Sequence, residues 1–150
     1  MSWVALVAVL LLGVTAGAML AEAALLVPYW QSLTPNEFFE WYAENASRLV
    51  DFYSPLEIGS ALISLLIAIA CSIQSRPGSR LWWTAAVLSI VVIAMFFVYF
   101  KDANAGFLNR TVAEDALAAA LSSWGRWQWA RVFIGISAFA AAVLAVRAKT

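Results

Sequence analysis

Residues 81–100 read LWWTAAVLSIVVIAMFFVYF and contain no charged side chain. A helix needs about 20 mostly apolar residues to cross a hydrocarbon core of about 30 Å, so this stretch predicts a membrane span. Three further stretches meet the same test, at residues 3–27, 58–75 and 127–146. We therefore predict an all-α fold, an integral membrane four-helix bundle that forms one domain over residues 1–150.

The composition supports a membrane protein and argues against several kinds of site. The chain is 64% hydrophobic and 12% charged, whereas soluble domains carry about 25% charged residues. It contains no His and a single Cys, Cys71, so we expect no metal site, no other cofactor and no disulfide within the chain. Nine basic residues balance nine acidic ones and form no basic tract, so we expect no nucleic-acid partner.

The segments between the predicted spans contain helix-start patterns. Residues 34–37 (TPNE) have the form of a capping box with Pro at the first helical position. They predict an amphipathic helix over residues 35–53, lying at the membrane interface or over the mouth of the bundle. Similar patterns at residues 54–57 (SPLE) and 111–114 (TVAE) predict the start of the second span and of a short helix over residues 112–122.

The basic residues predict the orientation in the membrane. Arg76 and Arg80 lie in the turn between the second and third spans, and Arg147 and Lys149 follow the fourth, whereas the first long connector is acidic on balance. The positive-inside rule places this turn and both termini in the cytoplasm. We expect the inner or plasma membrane of a bacterium. We also expect the first span to be retained, because no basic signal-peptide region precedes it.

Two charged residues inside the spans are the first candidates for a functional site. Glu22 lies near the outer end of the first span, and Arg131 lies near the outer end of the fourth. An ionised side chain in hydrocarbon costs at least about 2.5–3.5 kcal/mol, so such residues face the bundle interior and pair. We predict a Glu22–Arg131 contact, either direct or through one water. The pair could serve a ligand, or it could only hold the two helices in register.

Further residues near this level are candidate ligand contacts. Glu57 lies at the same level as Glu22 and Arg131, although its place in a helix-start pattern explains the presence of an acid equally well. Trp124, Trp127 and Arg131 share one helix face, which favours a cation–π contact between Trp127 and Arg131. The alternative for these rings and for Tyr99 is an aromatic belt at the membrane–water interface. The inner belt would contain Trp3, Trp82 and Trp83, and the outer belt Tyr29, Trp30, Tyr99, Trp124, Trp127 and Trp129.

A combination of features in this chain also occurs in one known family. These features are four apolar helices, a long first connector, Asn104 and Asn109 after the third helix, and Trp124 seven residues before Arg131 at the fourth. In these respects the chain resembles the anthrone-oxygenase-like membrane proteins, a largely uncharacterised family. Members of known activity oxidise polycyclic anthrones to anthraquinones without a bound metal or flavin. The resemblance implies Arg131, Trp124 and Asn109 as site residues.

Two functions from different classes are favoured over a third, a transporter, because four helices with one charge pair make a poor transport path unless the protein oligomerises. The first is a binding or accessory protein, which holds a flat hydrophobic molecule at the outer mouth of the bundle or docks onto a larger membrane complex. The second is an anthrone-oxygenase-like enzyme that oxidises a quinol-like or anthrone-like aromatic, with Glu22 as the base and Arg131 stabilising a phenolate or enolate. The expected partners are the bilayer, a hydrophobic small molecule, and a larger complex or further copies of the chain. A GxxxG pattern at residues 13–17 permits close helix packing within one copy or between two.

A structural feature discriminates between these functions. If Glu22 and Arg131 line a pocket of roughly 300 Å³ or more, small-molecule binding is favoured. If they are sealed against each other and the outer helix faces are apolar, the accessory role is favoured.

Overall fold

Four long helices make up the structure, a computed structural model that describes residues 3–148. They are α1 (Trp3–Ser32), α2 (Pro35–Ile73), α3 (Ser79–Leu108) and α4 (Glu114–Arg147), and each is long and apolar enough to cross a membrane. The described part of the chain contains no β-strand. The predicted all-α four-helix bundle is therefore confirmed.

The helices are longer than predicted, and the connectors are correspondingly short. α2 runs without a break for 39 residues and includes Pro55, so the predicted helix start at residues 54–57 is wrong. Proline inside a helix removes one hydrogen bond and adds one clash, and the flanking turns of α2 tolerate both. The predicted amphipathic helix over residues 35–53 is therefore the first half of α2. The connectors between the helices are residues 33–34, 74–78 and 109–113.

Of the helix-start patterns at residues 34–37 and 111–114, only the first forms a capping box. At the start of α2, the Thr34 backbone N–H donates to Glu37 Oε2 at 2.9 Å, and the reciprocal bond completes the capping box. At the start of α4 the Thr111 hydroxyl instead donates to the Gly106 carbonyl. Ala113 precedes the first turn without a side-chain cap. The predicted short helix over residues 112–122 is continuous with the last span.

Two of the helices contain a π-helical turn. In α1 the Val27 N–H bonds to the Glu22 carbonyl, five residues back. Pro28 follows directly, and because it has no N–H it makes no backbone hydrogen bond to the preceding turn, although the α-helix resumes over Val27–Ser32. The turn in α3 has no proline beside it. In chain order the segments are Trp3–Ala21, π-helical Glu22–Leu26 and Val27–Ser32 in α1; Ser79–Met95, π-helical Phe96–Phe100 and Lys101–Leu108 in α3; and a 3₁₀ turn, Glu114–Ala116, before Leu117–Arg147 in α4.

The bundle is longer than a membrane is thick. Helices of 30 to 39 residues measure about 45–58 Å at 1.5 Å per residue, against a hydrocarbon core of about 30 Å. The first half of α2 has a charged outer face, so the excess length lies at the end of the bundle that contains residues 33–34. The charged residues on this half are Glu37, Glu40, Glu44, Arg48 and Asp51.

Different side chains fill the two ends of the bundle. At the end that contains residues 33–34 lies the aromatic cluster, and at the opposite end lies the small-residue cluster. The aromatic cluster comprises Val27, Trp30, Phe38, Phe39, Tyr42, Met95, Phe100, Phe107, Leu117, Leu121 and Trp124. The small-residue cluster comprises Ala8, Leu12, Ala68, Trp82, Ala85, Ala138, Ala141, Ala142 and Ala145.

The burial of the tryptophans corrects the predicted aromatic belts. Trp30, Trp82 and Trp124 are at most 3% exposed and belong to the two clusters. Trp83 and Trp129 are about two-fifths exposed, which suits a position facing lipid or the interface. A tryptophan at the end of an apolar span can face inward or outward, and sequence position alone does not distinguish the two.

The GxxxG pattern makes one close contact inside the monomer. A Cβ added to Gly13 would lie 3.1 Å from the Phe139 ring of α4, whereas one added to Gly17 would meet nothing within 4 Å. Gly13 therefore permits close packing of α1 against α4. Gly17 lies on an exposed face and makes no such contact among the described residues.

Candidate functional site

Four buried polar residues form a connected layer between the aromatic cluster and the small-residue cluster. This polar layer consists of Glu22 on α1, Glu57 on α2, and Gln128 and Arg131 on α4, none of them more than 8% exposed. Glu57 and Arg131 each lie 16 residues before the end of their helix, or about 24 Å along it. If the hydrocarbon core begins at these two helix ends, the layer lies near its opposite boundary, because the core is about 30 Å thick.

The hydrogen bonds of the layer correct the predicted ion pair. Arg131 forms its salt bridge with Glu57 through Nη2. Its Nη1 donates to Gln128 Oε1 at 3.2 Å, and Gln128 Nε2 donates to Glu22 Oε2 at 2.8 Å. The direct Glu22–Arg131 contact is therefore absent from the described structure, and a neutral amide lies between the two charges. Residues 128 and 131 are three apart on one helix and so project from the same face.

The aromatic partner of Arg131 also differs from the prediction. The guanidinium carbon lies 4.6 Å from the centre of the Phe100 ring, within the range of a cation–π contact. Trp127 instead stacks on Tyr99, with ring centres 4.8 Å apart and planes within 7°. The predicted Trp127–Arg131 contact is thus wrong, because Arg131 turns into the bundle while Trp127 packs against α3.

A cavity of about 430 Å³ lies directly against the polar layer. Glu22, Glu57 and Arg131 form its polar end, and six aromatic rings contribute to its walls. It lies between α1, α2, α3 and α4 and opens beside the exposed Asp51. The rings that line it are Trp30, Tyr42, Tyr53, Phe96, Phe100 and Trp124.

Both π-helical turns line this cavity. Glu22 begins the turn in α1, and Phe96 and Phe100 are the first and last residues of the turn in α3. A π-helical turn rotates the side chains that follow it relative to an α-helix, and such turns occur frequently at functional sites. Their positions indicate that the local backbone of two helices is shaped around this cavity.

Several polar atoms around the cavity have no hydrogen-bond partner within the described chain. Trp30 Nε1 and Arg131 Nε are buried donors of this kind. Glu22 and Glu57 each make hydrogen bonds through one carboxylate oxygen only. Buried polar groups in proteins are nearly always satisfied, so this site has capacity for a ligand or water that both donates and accepts.

A second polar group lies one turn deeper in the bundle. Thr15 Oγ1 and Ser60 Oγ are 2.8 Å apart and join α1 to α2. Together with Glu57 and Ser89 they line a space of about 10 Å³, which is about the volume that one water molecule requires. Beyond these hydroxyls the small-residue cluster closes the bundle, so the cavity has no visible continuation toward the other end.

A shallow groove approaches Glu22 from the outside of the bundle. It measures about 260 Å³ and lies between α1 and α2. Tyr53 lines both this groove and the cavity, and its hydroxyl donates to the Ala18 carbonyl at 3.3 Å. Glu22 and Tyr53, which line both spaces, therefore lie between the cavity and the apolar surface beside Leu25 and Tyr29.

The structure brings together some of the predicted site residues and separates others. Glu22, Glu57, Trp124 and Arg131 all line the cavity. Tyr99 and Trp127 form their own stack behind Phe100, outside the lining. Asn109 ends α3 as an exposed capping residue and does not line the cavity.

Other residues at the site were missed by the sequence analysis. Gln128 offered a signal, because it is an amide three residues before Arg131 in an apolar span. Asn104 accepts a hydrogen bond from Trp124 Nε1 at 2.9 Å, and it lines the cavity where Asn109 does not. Trp30 and Phe100 carry no sequence feature that separates them from aromatic residues facing lipid.

Comparison with known proteins adds no family assignment. No family model, curated protein or solved structure matches the chain. Residues 3–148 also contain no group of three or more His, Cys, Asp or Glu side chains placed to hold a metal ion. Functional inference therefore depends on the geometry of the cavity.

Proposed function

We propose that this membrane protein binds a small hydrophobic aromatic molecule in the cavity beside the polar layer. The observation that carries the proposal is a space of about 430 Å³ that joins six aromatic rings to Glu22, Glu57 and Arg131. Ligand pockets typically measure about 300–1,000 Å³, have mostly apolar walls and hold a few polar groups that orient the ligand. This cavity matches each part of that description.

The contacts of the polar layer support ligand binding over a purely structural pair. A pair that only fixed helix register would be sealed by packing, whereas Glu22, Glu57 and Arg131 all face open space. The free donor atoms of Trp30 and Arg131 complement the free carboxylate oxygens of the two acids. A ligand with a hydroxyl group, or with both donors and acceptors, would satisfy both kinds of atom.

An accessory subunit of a larger membrane complex is less well supported. Its main sign would be an apolar outer surface on the helices, such as the exposed side chains of Leu10, Leu62 and Phe133. In a helix that crosses a bilayer, lipid covers such a surface, so it does not require a protein partner.

Enzymatic oxidation is the second candidate, and one observation favours it. Glu22 has a carboxylate oxygen without a hydrogen bond beside an aromatic-walled space, and this is where a base would remove a proton from a quinol or anthrone. Arg131 would stabilise the resulting phenolate or enolate. Dioxygen would oxidise a quinol to the quinone and become hydrogen peroxide, or it would supply the second carbonyl oxygen of an anthraquinone and release its other atom as water. Oxygen consumption with anthrone as the substrate distinguishes this activity from binding alone.

We further propose that the turn containing Arg76 and Arg80 faces the cytoplasm of a bacterial cell, so that the cavity opens toward the outside. The basic residues of this turn support the placement, since basic residues remain on the cytoplasmic side. Cysteines introduced at Ser79 and Asn45 should react with a membrane-impermeant reagent from opposite sides. Labelling of both from one side would contradict the placement.

Native mass spectrometry of protein gently extracted from its own membrane tests the binding proposal. We expect a small molecule of reproducible mass on the wild-type chain. Ala46→Phe should lose it, because Ala46 lines the cavity and the added ring would fill that space. Ala94→Phe is the matched control, since Ala94 lies on an exposed face of α3. A chain without any bound molecule, or one whose bound molecule survives Ala46→Phe, would refute the proposal.

A further inference from the structure

The charges around the cavity do not balance. Its lining contains the acids Glu22, Asp51 and Glu57, and among the described residues Arg131 is the only basic residue in it. Asp51 is exposed at the opening, whereas both glutamates are buried at the polar end. If all are ionised, the lining has more negative than positive charge.

Arg131 is already committed to other groups and does not neutralise Glu22. It forms the salt bridge with Glu57, and its remaining bond in the layer goes to the neutral amide of Gln128. Glu22 in turn receives its hydrogen bond from that amide. A buried carboxylate held only by a neutral donor is costly, and a cation beside Glu22 would lower that cost.

The aromatic walls of the cavity are suited to a positively charged ligand. Ring faces attract cations, and the attraction can reach about 2 kcal/mol or more where water is excluded. Arg131 occupies one face of Phe100, whereas Tyr53 and Phe96 line the space and are only half-buried, so part of each ring remains accessible. Aromatic walls beside a carboxylate recognise a positively charged ligand better than a neutral one of equal shape.

We propose that the cavity selects a hydrophobic aromatic cation, and that the Glu22 carboxylate is its counter-ion. The proposal rests on the binding function above and specifies the chemical class of the ligand. The ligand's rings would lie against Tyr53 and Phe96, and its positive charge would lie beside Glu22 in the position that Arg131 does not fill.

A pair of probes with one shape and different charge tests this assignment. N-methylquinolinium is a cation, and 1-methylnaphthalene is its neutral counterpart. Binding to the detergent-solubilised chain is measured by equilibrium dialysis, with protein-free micelles as the blank. We expect the cation to bind at least about tenfold more tightly than the hydrocarbon.

Two variants show which acidic side chain is responsible for the tighter binding of the cation. Glu22→Gln should weaken binding of the cation by about tenfold and leave that of the hydrocarbon unchanged. Asp51→Asn at the exposed opening should have a smaller effect, because water screens its charge.

The outcomes separate the two proposals. Equal affinity of the two probes, or an equal effect of Glu22→Gln on both, would overturn the selectivity for cations and leave the binding function intact. Failure of both probes to bind the wild-type chain would also overturn the selectivity for aromatic cations, whereas the binding function itself is refuted only by the mass spectrometry of the natively extracted chain. The wild-type comparison gives this answer even if Glu22→Gln does not fold.

Discussion

The two ends of the bundle are packed in different ways, and the difference explains where the cavity lies. In the small-residue cluster, Ala68, Ala85 and Ala142 are fully buried at the contacts between helices. Small residues allow helix backbones to approach closely. In the aromatic cluster, large rings such as Trp30 and Phe38 lie at the contacts between helices, and rings of this size require more room than alanine. Rigid rings cannot fill every gap between the helices, and the cavity is the space that remains.

The polar layer lies where one kind of packing changes to the other. On one side are the hydroxyls of Thr15 and Ser60 and then the small-residue cluster, and on the other side are the rings of the cavity. The polar layer therefore bounds the cavity on the side of the small-residue cluster and is accessible from the side of the aromatic cluster. The four residues connect three helices, and three of them, Glu22, Glu57 and Arg131, also line the cavity.

The largest expected effect comes from removing the charge at the boundary between the two clusters. Arg131→Met leaves Glu57 buried without its partner and should lower the free energy of unfolding by about 3–5 kcal/mol. Adding Glu57→Gln should restore part of that loss, because no unpaired charge then remains beside residue 131. Adding Glu22→Gln instead should restore less. Thermal unfolding in detergent measures all three variants, and strictly additive losses would contradict the Glu57–Arg131 pairing.

A smaller effect distinguishes the packing of the two clusters. Ala68→Leu adds volume where helices are in close contact and should cost about 1–3 kcal/mol of stability. Ala46→Phe adds more volume, but into space that already exists, and should change the stability by less than about 1 kcal/mol. Unfolding midpoints of the two variants make the comparison. If Ala46→Phe destabilised the protein more than Ala68→Leu, the two ends would not differ in packing as described.

The fold could be predicted from the sequence because length and hydropathy decide it. The uncharged stretch at residues 81–100 has no alternative to a span, and the capping box at residues 34–37 marks the true start of α2. The residue at which the helix of the second span begins was not equally predictable. Pro55 suggested a new helix, but its single missing hydrogen bond does not interrupt α2.

The site was only partly predictable, because inward and outward faces look alike in an apolar helix. Glu22 and Arg131 stood out by their charge, and both line the cavity. Their connection through Gln128 depends on which side chain of α4 faces α1, which spacing from a single sequence does not determine. Trp30 and Phe100 resemble interfacial aromatic residues, and only the packed structure places them at the cavity.

An experimental structure of the protein purified with its native lipids would show whether the cavity holds a ligand. We expect non-protein density in the cavity, lying against the rings of Tyr53 and Phe96 and reaching the carboxylate of Glu22. A cavity filled by the protein's own aromatic side chains, with Glu22 and Arg131 sealed from any open space, would contradict this expectation.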